Sequence, residues 1–127
     1  MNRKQAMEVI ANHRKQAMEV IANHNNPCSA YASLTDDDEW GRLMKSHVPN
    51  LHMQSAILRY VALGVEPGGF LCSVIDNDLF KAVKRADGTN LYKLGSYVKF
   101  FEYASPAECF GSKTLRIEWQ KSGGLAC

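Results

Sequence analysis

The sequence predicts an all-α fold, a compact bundle of five to six helices in one domain spanning residues 1–127. Apolar residues recur at helical spacing in several segments, and no segment shows the alternation typical of a half-buried strand. Proline- and glycine-containing breaks separate these segments. A chain of this length suits one compact domain, with an N-terminal helix over residues 1–24 and a core over residues 35–125.

The N-terminal helix is predicted to be lengthened by a tandem duplication, because residues 3–13 and 14–24 are the same eleven residues, RKQAMEVIANH. An insertion of this length rotates a helix face by only about 20°. The two copies therefore continue one apolar stripe, formed by Ala6, Val9, Ile10, Ala17, Val20 and Ile21. This stripe is longer than the core of so small a domain needs, which predicts homo-oligomerisation.

Two helices are expected between the loop at residues 25–34 and the middle of the chain. Thr35 is the expected N-cap of the first, since the acidic run at residues 36–39 suits the positive end of a helix. A cation site is the alternative, but calcium loops need alternating oxygen ligands and a glycine turn. Val48-Pro49 ends this helix, and the next runs from Asn50 or Leu51 to Gly64. The expected inward residues are Trp40, Leu43, Met44, His47, Met53, Ala56, Ile57, Tyr60 and Val61.

The chain is organised around a central helix that follows the break Pro67-Gly68-Gly69. Asp87-Gly88 is expected to close this helix, because glycine tolerates the left-handed turn at helix ends. Asn77 and Asp78 would then lie in its middle, where both residue types have poor helix propensity. One side of the helix is an apolar spine of Phe70, Leu71, Val74, Ile75, Leu79 and Val83.

Two further helices are predicted after the central one. The first runs from about Thr89 to Ala104, with Leu91, Leu94, Val98 and Phe101 as its packing stripe. The last opens at Ser112 or Lys113, contains Leu115 and Trp119, and ends at Gly123-Gly124.

Composition and charge exclude several classes of protein. A formal net charge of +2 is too close to neutral for a dedicated duplex-DNA binder. The chain has no apolar run long enough for a transmembrane helix and no signal-peptide core. Four widely spaced cysteines without a CxxC motif indicate reduced thiols in a cytosolic protein.

No metal site, cofactor or catalytic motif is expected. The pairs His24/Cys28 and His47/His52 are each interrupted by a proline, so a helix cannot present them as zinc ligands. Cys72 is predicted to be a small core residue, whereas Cys109 follows Pro106 in a turn and is the thiol expected to be exposed. Nucleophile elbows and phosphate-binding loops are lacking. The sequence therefore predicts that the protein is not an enzyme.

The polar edge of the central helix supplies the candidate binding site. Its candidate residues are Arg59, Asn77, Asp78, Arg85, Asp87 and Asn90, with Tyr97 and Tyr103 (and also Phe110) as aromatic residues that face a partner. One interpretation is a buried network that pairs Asp78 or Asp87 with Arg85 or Arg59. Another is a polar cleft whose arginine and amide groups bind a phosphate or a base. Solvated surface decoration is the third.

Residues 48–125 carry a specific set of ordered motifs: VPNLHM, AILRYVALGVEPGGFLCSVIDNDLFKAVKRAD, Asn90, FFEYASPAECFGS and EWQKSGGL. In this order they resemble a family of small proteins encoded by bacteriophages and prophages. The resemblance implies phage origin, residence in the host cell cytoplasm and an accessory role without established enzymatic activity. Small accessory phage proteins often antagonise host defence, either by binding an immune protein or by sequestering a nucleotide-derived signal.

The expected function is therefore non-enzymatic counter-defence. In one form, the candidate residues hold a nucleotide-derived ligand in a cleft between protomers. In the other, the N-terminal helix or an exposed aromatic surface blocks a host protein. A phage structural or interaction adaptor without a ligand is the alternative. A nucleic-acid-binding regulator, in which residues 35–47 and 49–63 imitate a helix-turn-helix, is disfavoured by the near-neutral charge.

Overall fold

Helices make up most of the chain that the structure describes. The computed structural model describes residues 38–126, which contain helices and no strand. The α-helices are α1 (Asp38–His47), α2 (Leu51–Leu63), α3 (Gly69–Ile75), α4 (Leu79–Arg85), α5 (Gly88–Tyr92), α6 (Leu94–Ala104) and α7 (Lys113–Ser122), with 3-10 turns at Ala107–Cys109 and Gly124–Ala126. The all-α prediction is confirmed for these residues. The duplicated segment, the predicted cap at Thr35 and the extent of the domain at its N-terminus lie outside them.

The predicted limits of α2 and α7 are confirmed by their capping contacts. The Asn50 side chain accepts a hydrogen bond from the Met53 N–H at 2.9 Å, and Gly64 closes α2 with φ 70°. Ser112 likewise accepts from the N–H of Leu115 at 3.1 Å, and Gly123 closes α7 with φ 82°. These ends depend on local chemistry, namely side-chain oxygens at the start and glycine at the finish.

The predicted central helix is wrong, because the chain forms two helices, α3 and α4, with a turn between them. Asn77 occupies the left-handed region at φ 60°, and Asp78 caps α4 by accepting the Lys81 N–H at 3.1 Å. Asn and Asp side chains compete for backbone hydrogen bonds, and that competition here ends one helix and starts another. As a result Leu79 and Val83 are 63% and 44% exposed and do not belong to a buried spine.

The helix predicted over residues 89–104 is also divided, at Lys93, into α5 and α6. Asp87 caps α5 by accepting the Asn90 N–H at 2.7 Å, so Gly88 opens a helix and does not close one. The two divisions raise the number of α-helices in residues 38–126 to seven. Two residues of the predicted packing stripe, Leu91 and Val98, are consequently exposed.

The core lies between α1, α2, α3 and α6. Its largest buried side chains are Trp40, Met44, Ile57, Tyr60, Val61, Phe70, Leu71, Ile75, Tyr97, Phe100 and Phe101. The Trp40 indole donates to the Ala104 carbonyl at 3.1 Å and packs edge-on against Phe100, which fixes α1 on α6. No helix in this part of the chain has the length and apolar character needed to cross a bilayer.

Tyr60 on α2 joins the C-terminal segments to the core. Its hydroxyl donates to the Cys109 carbonyl at 2.6 Å, and its own carbonyl accepts from the Trp119 indole at 3.0 Å.

Cys109 is fully buried, so the prediction of an exposed thiol is wrong; the 3-10 turn that carries it packs inward. Cys72 is buried as predicted, and burial raises the pKa of its thiol.

The end of α2 meets the C-terminal 3-10 turn backbone to backbone. Gly64 and Gly124 both adopt left-handed conformations, with φ 70° and 71°. A Cβ placed on Gly124 would lie 2.6 Å from the Gly64 nitrogen, which is closer than real Cβ contacts come. The approach therefore requires the absence of a side chain at this position.

Candidate functional site

The turn between α3 and α4 holds Asn77 in a defined position on the surface. The Asn77 N–H donates to the Val74 carbonyl at 3.1 Å, and the Asp78 N–H donates to the Ser73 carbonyl at 2.9 Å. Asn77 is exposed, although its backbone is left-handed. Asparagine tolerates this conformation better than most residues, so the turn presents a polar amide at a fixed place.

Two neighbouring clefts flank this turn, and together they form what we call the Asn77 groove. The smaller cleft, of about 50 Å³, lies between α3, α4 and α6 and includes Asp78 and Leu79 in its wall. The larger, of about 240 Å³, is lined by Val74, Asn77, Val98, Phe101, Glu102, Phe110 and Gly111. Val74, Asn77 and Val98 line both clefts, so the two clefts lie side by side.

The Asn77 groove is largely apolar. Among the described residues that line it, the charged ones are Asp78 and Glu102, and none is basic. Its larger cleft is below the range of about 300–1,000 Å³ that is usual for small-molecule sites. The groove therefore suits part of a protein better than a complete nucleotide.

Arg85 lies beside the groove, where it fastens α4 to α3. Its Nη1 donates to the Ser73 hydroxyl at 3.1 Å and to the Gly69 carbonyl at 3.3 Å, while the residue as a whole is exposed. Asp78 is 3.8 Å from the Lys81 ammonium. The network that would pair Asp78 or Asp87 with an arginine is not formed in the described structure.

Arg59 and Tyr103 are not among the residues that line the groove. Arg59 is exposed on α2, and no hydrogen bond or ion pair joins its side chain to the described part of the chain. Tyr103 is half-buried and packs edge-on against His47 of α1, with ring centroids 6.2 Å apart. Of the predicted site residues, Asn77 and Asp78 line the groove, as does the predicted partner-facing residue Phe110. Arg85 lies next to them through its hydrogen bond with Ser73.

Asn90 and Tyr97 form a buried hydrogen bond inside the core. The Tyr97 hydroxyl donates to Asn90 Oδ1 at 2.7 Å, and these residues are 0% and 8% exposed, respectively. Burial, assisted by the negative charge of Asp87, raises the pKa of Tyr97 to about 12. These two polar groups satisfy each other, so they support α5 and α6 and do not line the groove.

We expect the Tyr97 hydroxyl to make stability fall at alkaline pH. The folded-state pKa of about 12 exceeds the ordinary value of 10.0, so the contribution of Tyr97 is complete below pH 10 and is lost as pH rises towards 12. Tyr97→Phe should remove this pH-dependent loss, so its free energy of unfolding should fall less than that of wild type at high pH, by at most about 2–3 kcal/mol. Urea unfolding between pH 9 and 11.5 measures this, with Tyr103→Phe as the control. Equal slopes for wild type and Tyr97→Phe would contradict the assignment.

Sequence reasoning missed a buried ion pair between α7 and the end of α3. Arg116 is 7% exposed, and its Nε and Nη2 donate to the two Asp76 carboxylate oxygens at 2.6 and 3.2 Å. Its Nη1 donates to Glu66 at 3.1 Å and to Gln120 at 2.9 Å. The hydrogen bond with Asp76 raises the pKa of Arg116 further. In the sequence, Arg116 precedes Trp119 by about one helical turn. This spacing indicates that Arg116 lies on the same, inward side of α7 as Trp119.

Comparison of the chain with protein-family models, curated proteins and solved structures gives no match. The geometry of residues 38–126 is therefore the basis for assigning the site. Across these residues, no three His, Cys, Asp or Glu side chains are grouped as metal ligands would be.

Proposed function

We propose that this chain is a non-enzymatic phage accessory protein that counters host anti-phage defence in the host cytoplasm by binding a host immune protein. The phage setting comes from the resemblance of residues 48–125. The Asn77 groove is the observation that carries the mode of action, because it is largely apolar and has no basic residue among its described lining residues, which suits a protein segment better than a phosphate group.

Exposed apolar side chains on α4 support a protein partner. Leu79, Phe80 and Val83 are 63%, 88% and 44% exposed, and Leu79 also lines the smaller cleft. Their spacing places them on one side of α4. Large apolar side chains next to a groove are typical of surfaces that bind other proteins.

Sequestration of a nucleotide-derived signal is the second candidate, and Arg85 favours it. Its exposed guanidinium is positioned by two hydrogen bonds and would bind a phosphate by charge-assisted hydrogen bonding. The groove of one protomer supplies no further cation among its described lining residues. A nucleotide site would therefore require a second protomer. Homo-oligomerisation was predicted from residues 3–24, which lie outside the described residues.

Asn77→Gly is expected to abolish counter-defence without destabilising the protein. Glycine adopts φ 60° freely, so the turn persists and only the amide is removed. The measurement is phage plating on strains that each carry one defence system and express wild type, Asn77→Gly or the control Glu118→Ala. We expect wild type and Glu118→Ala to raise plating on at least one strain, and Asn77→Gly to lose that gain by tenfold or more. Full activity of Asn77→Gly would refute the role of the groove.

Native mass spectrometry of the purified protein, before and after denaturation, separates the candidate functions. A released nucleotide-like mass would favour sequestration and overturn the immune-protein proposal, and Arg85→Ala should then lose that mass.

Light scattering on the same sample measures the oligomeric state, and a clean monomer would contradict homo-oligomerisation. A chain that co-purifies with a virion component, without any effect on defence, would instead favour the adaptor function.

A further inference from the structure

We propose that the exposed face of α4 binds an acidic amphipathic segment of the partner protein. The inference rests on the proposed function for the partner being a protein, whereas the chemistry of the bound segment follows from α4 itself. What we call the α4 face consists of Leu79, Phe80, Lys81, Val83 and Lys84, all of which are exposed. Its apolar side chains, its charge and its position beside a cleft each point to this kind of segment.

The apolar part of the α4 face consists of three large side chains that are neighbours on the helix surface. Leu79 and Val83 are four residues apart, and Phe80 is three residues before Val83. Phe80 is 88% exposed, so nearly all of its ring is in water. The free energy gained on binding grows with the apolar area removed from water, and aromatic rings supply more of that area than other side chains. Phe80 is therefore the main apolar contact offered to a partner.

The charged part of the α4 face is basic. α4 contains Lys81, Lys84 and Arg85 and no acidic residue. Lys84 is exposed and lies one turn after Phe80, on the same side of the helix. Within residues 38–126 no ion pair joins Lys84 to a carboxylate, whereas Lys81 lies 3.8 Å from Asp78. Arg85 donates to two neutral oxygen atoms of α3 and adds a further positive charge. The complement of this face is an apolar surface edged by carboxylates.

The adjoining cleft favours a protein segment over a lipid surface or a nucleic acid. Leu79 belongs to the α4 face and also lines the smaller cleft, together with Ala82, Leu94 and Val98. The apolar surface of α4 therefore continues into a concave site, which projecting side chains can enter and a flat membrane surface cannot. Single-stranded nucleic acids bind where bases stack on aromatic rings along a basic groove. The described lining of this cleft instead includes Asp78 and no aromatic ring. An amphipathic helix that lays its apolar side on such a surface is a common mode of peptide recognition.

The test uses the full chain and two synthetic peptides, titrated by protein NMR. The acidic probe is the acetylated and amidated peptide ELLEELLEELLE, and the matched probe carries lysine in place of every glutamate. We expect amide shifts at Leu79, Phe80 and Lys84 with the acidic peptide, binding that weakens on addition of salt, and at least tenfold weaker binding of the lysine peptide. Equal binding of the two peptides, or shifts that avoid α4, would overturn the proposal. Binding of an oligothymidylate or of phosphatidylglycerol vesicles at α4, without binding of the acidic peptide, would also overturn it.

Two charge reversals, each in the last turn of a helix, link the binding to the α4 face. Lys84→Glu should weaken binding of the acidic peptide at least tenfold, whereas Lys121→Glu, at an exposed position on α7, should leave it unchanged. Phe80→Ala should weaken it at least fivefold, since the most exposed apolar contact of the face is removed. Unchanged binding by a folded Lys84→Glu variant would contradict the site.

The plating assay separates this inference from the proposed function. A wild-type protein that binds the acidic peptide at α4 but raises plating on no strain would refute the proposed function and leave this site intact. A wild-type protein that counters defence but does not bind the peptide would overturn this inference alone.

Discussion

Arg116→Ala is expected to lower the free energy of unfolding by about 3 kcal/mol, because it leaves the Asp76 carboxylate without its buried partner. The Asp76 side chain is 15% exposed, so water compensates only part of the lost contact. Removing one member of a buried ion pair usually costs more than replacing both, since the remaining charge stays desolvated. The same change frees α7 from the end of α3.

Urea unfolding of four chains tests this expectation: wild type, Arg116→Ala, Asp76→Asn and the double variant. We expect the double variant to be more stable than the sum of the single losses predicts, by about 1–3 kcal/mol. Lys113→Ala, at an exposed position on the same helix, is the control and should change stability by less than about 0.5 kcal/mol. Additive losses would show that Arg116 and Asp76 do not stabilise each other.

Gly124→Ala is expected to destabilise the fold by at least about 2 kcal/mol, through backbone conformation and close contact together. Its φ of 71° is unfavourable for alanine. The new Cβ would also lie 2.6 Å from the Gly64 nitrogen and 2.9 Å from the Ala62 carbonyl carbon. Both neighbouring atoms belong to the backbone of the α2 end, so a change of side-chain rotamer cannot relieve the contact.

Gly95→Ala is the matched control for this substitution. Gly95 is exposed on α6, and a Cβ there would meet nothing within 4 Å apart from its chain neighbours and the backbone of its own helix. Alanine in a helix is favoured over glycine, so we expect this variant to gain up to about 1 kcal/mol. Thermal and urea unfolding of both variants measure the contrast. A Gly124→Ala protein as stable as wild type would contradict the tight backbone contact.

Local signals in the sequence were sufficient for the helix ends that one or two residues determine. Asn50 and Ser112 begin helices through their own side-chain oxygens, and Gly64 and Gly123 end them through their own backbone. Periodicity was insufficient where a helix divides. The apolar spacing continues from Ile75 past Leu79, so it does not indicate that the backbone turns between them.

The candidate site was predictable only in part, for a similar reason. Poor helix propensity drew attention to Asn77 and Asp78, and both line the groove. Glu102 lies on α6, which reaches the same groove through tertiary packing, and no local pattern connects it with Asn77. The Arg116–Asp76 pair joins residues 40 positions apart, which is likewise beyond the reach of sequence spacing.

The hydrogen bond from Trp119 to the Tyr60 carbonyl also constrains when the protein can acquire its structure during synthesis. The bond joins residues 59 positions apart, and the Gly64–Gly124 contact beside it is equally long in range. The end of α2 leaves the ribosome well before the segments that cover it, and long-range contacts form only after both partners are available. The C-terminal segments must therefore emerge before the end of α2 is covered, and a ribosome stalled before residue 119 would carry a chain in which the Tyr60 carbonyl lacks this hydrogen bond.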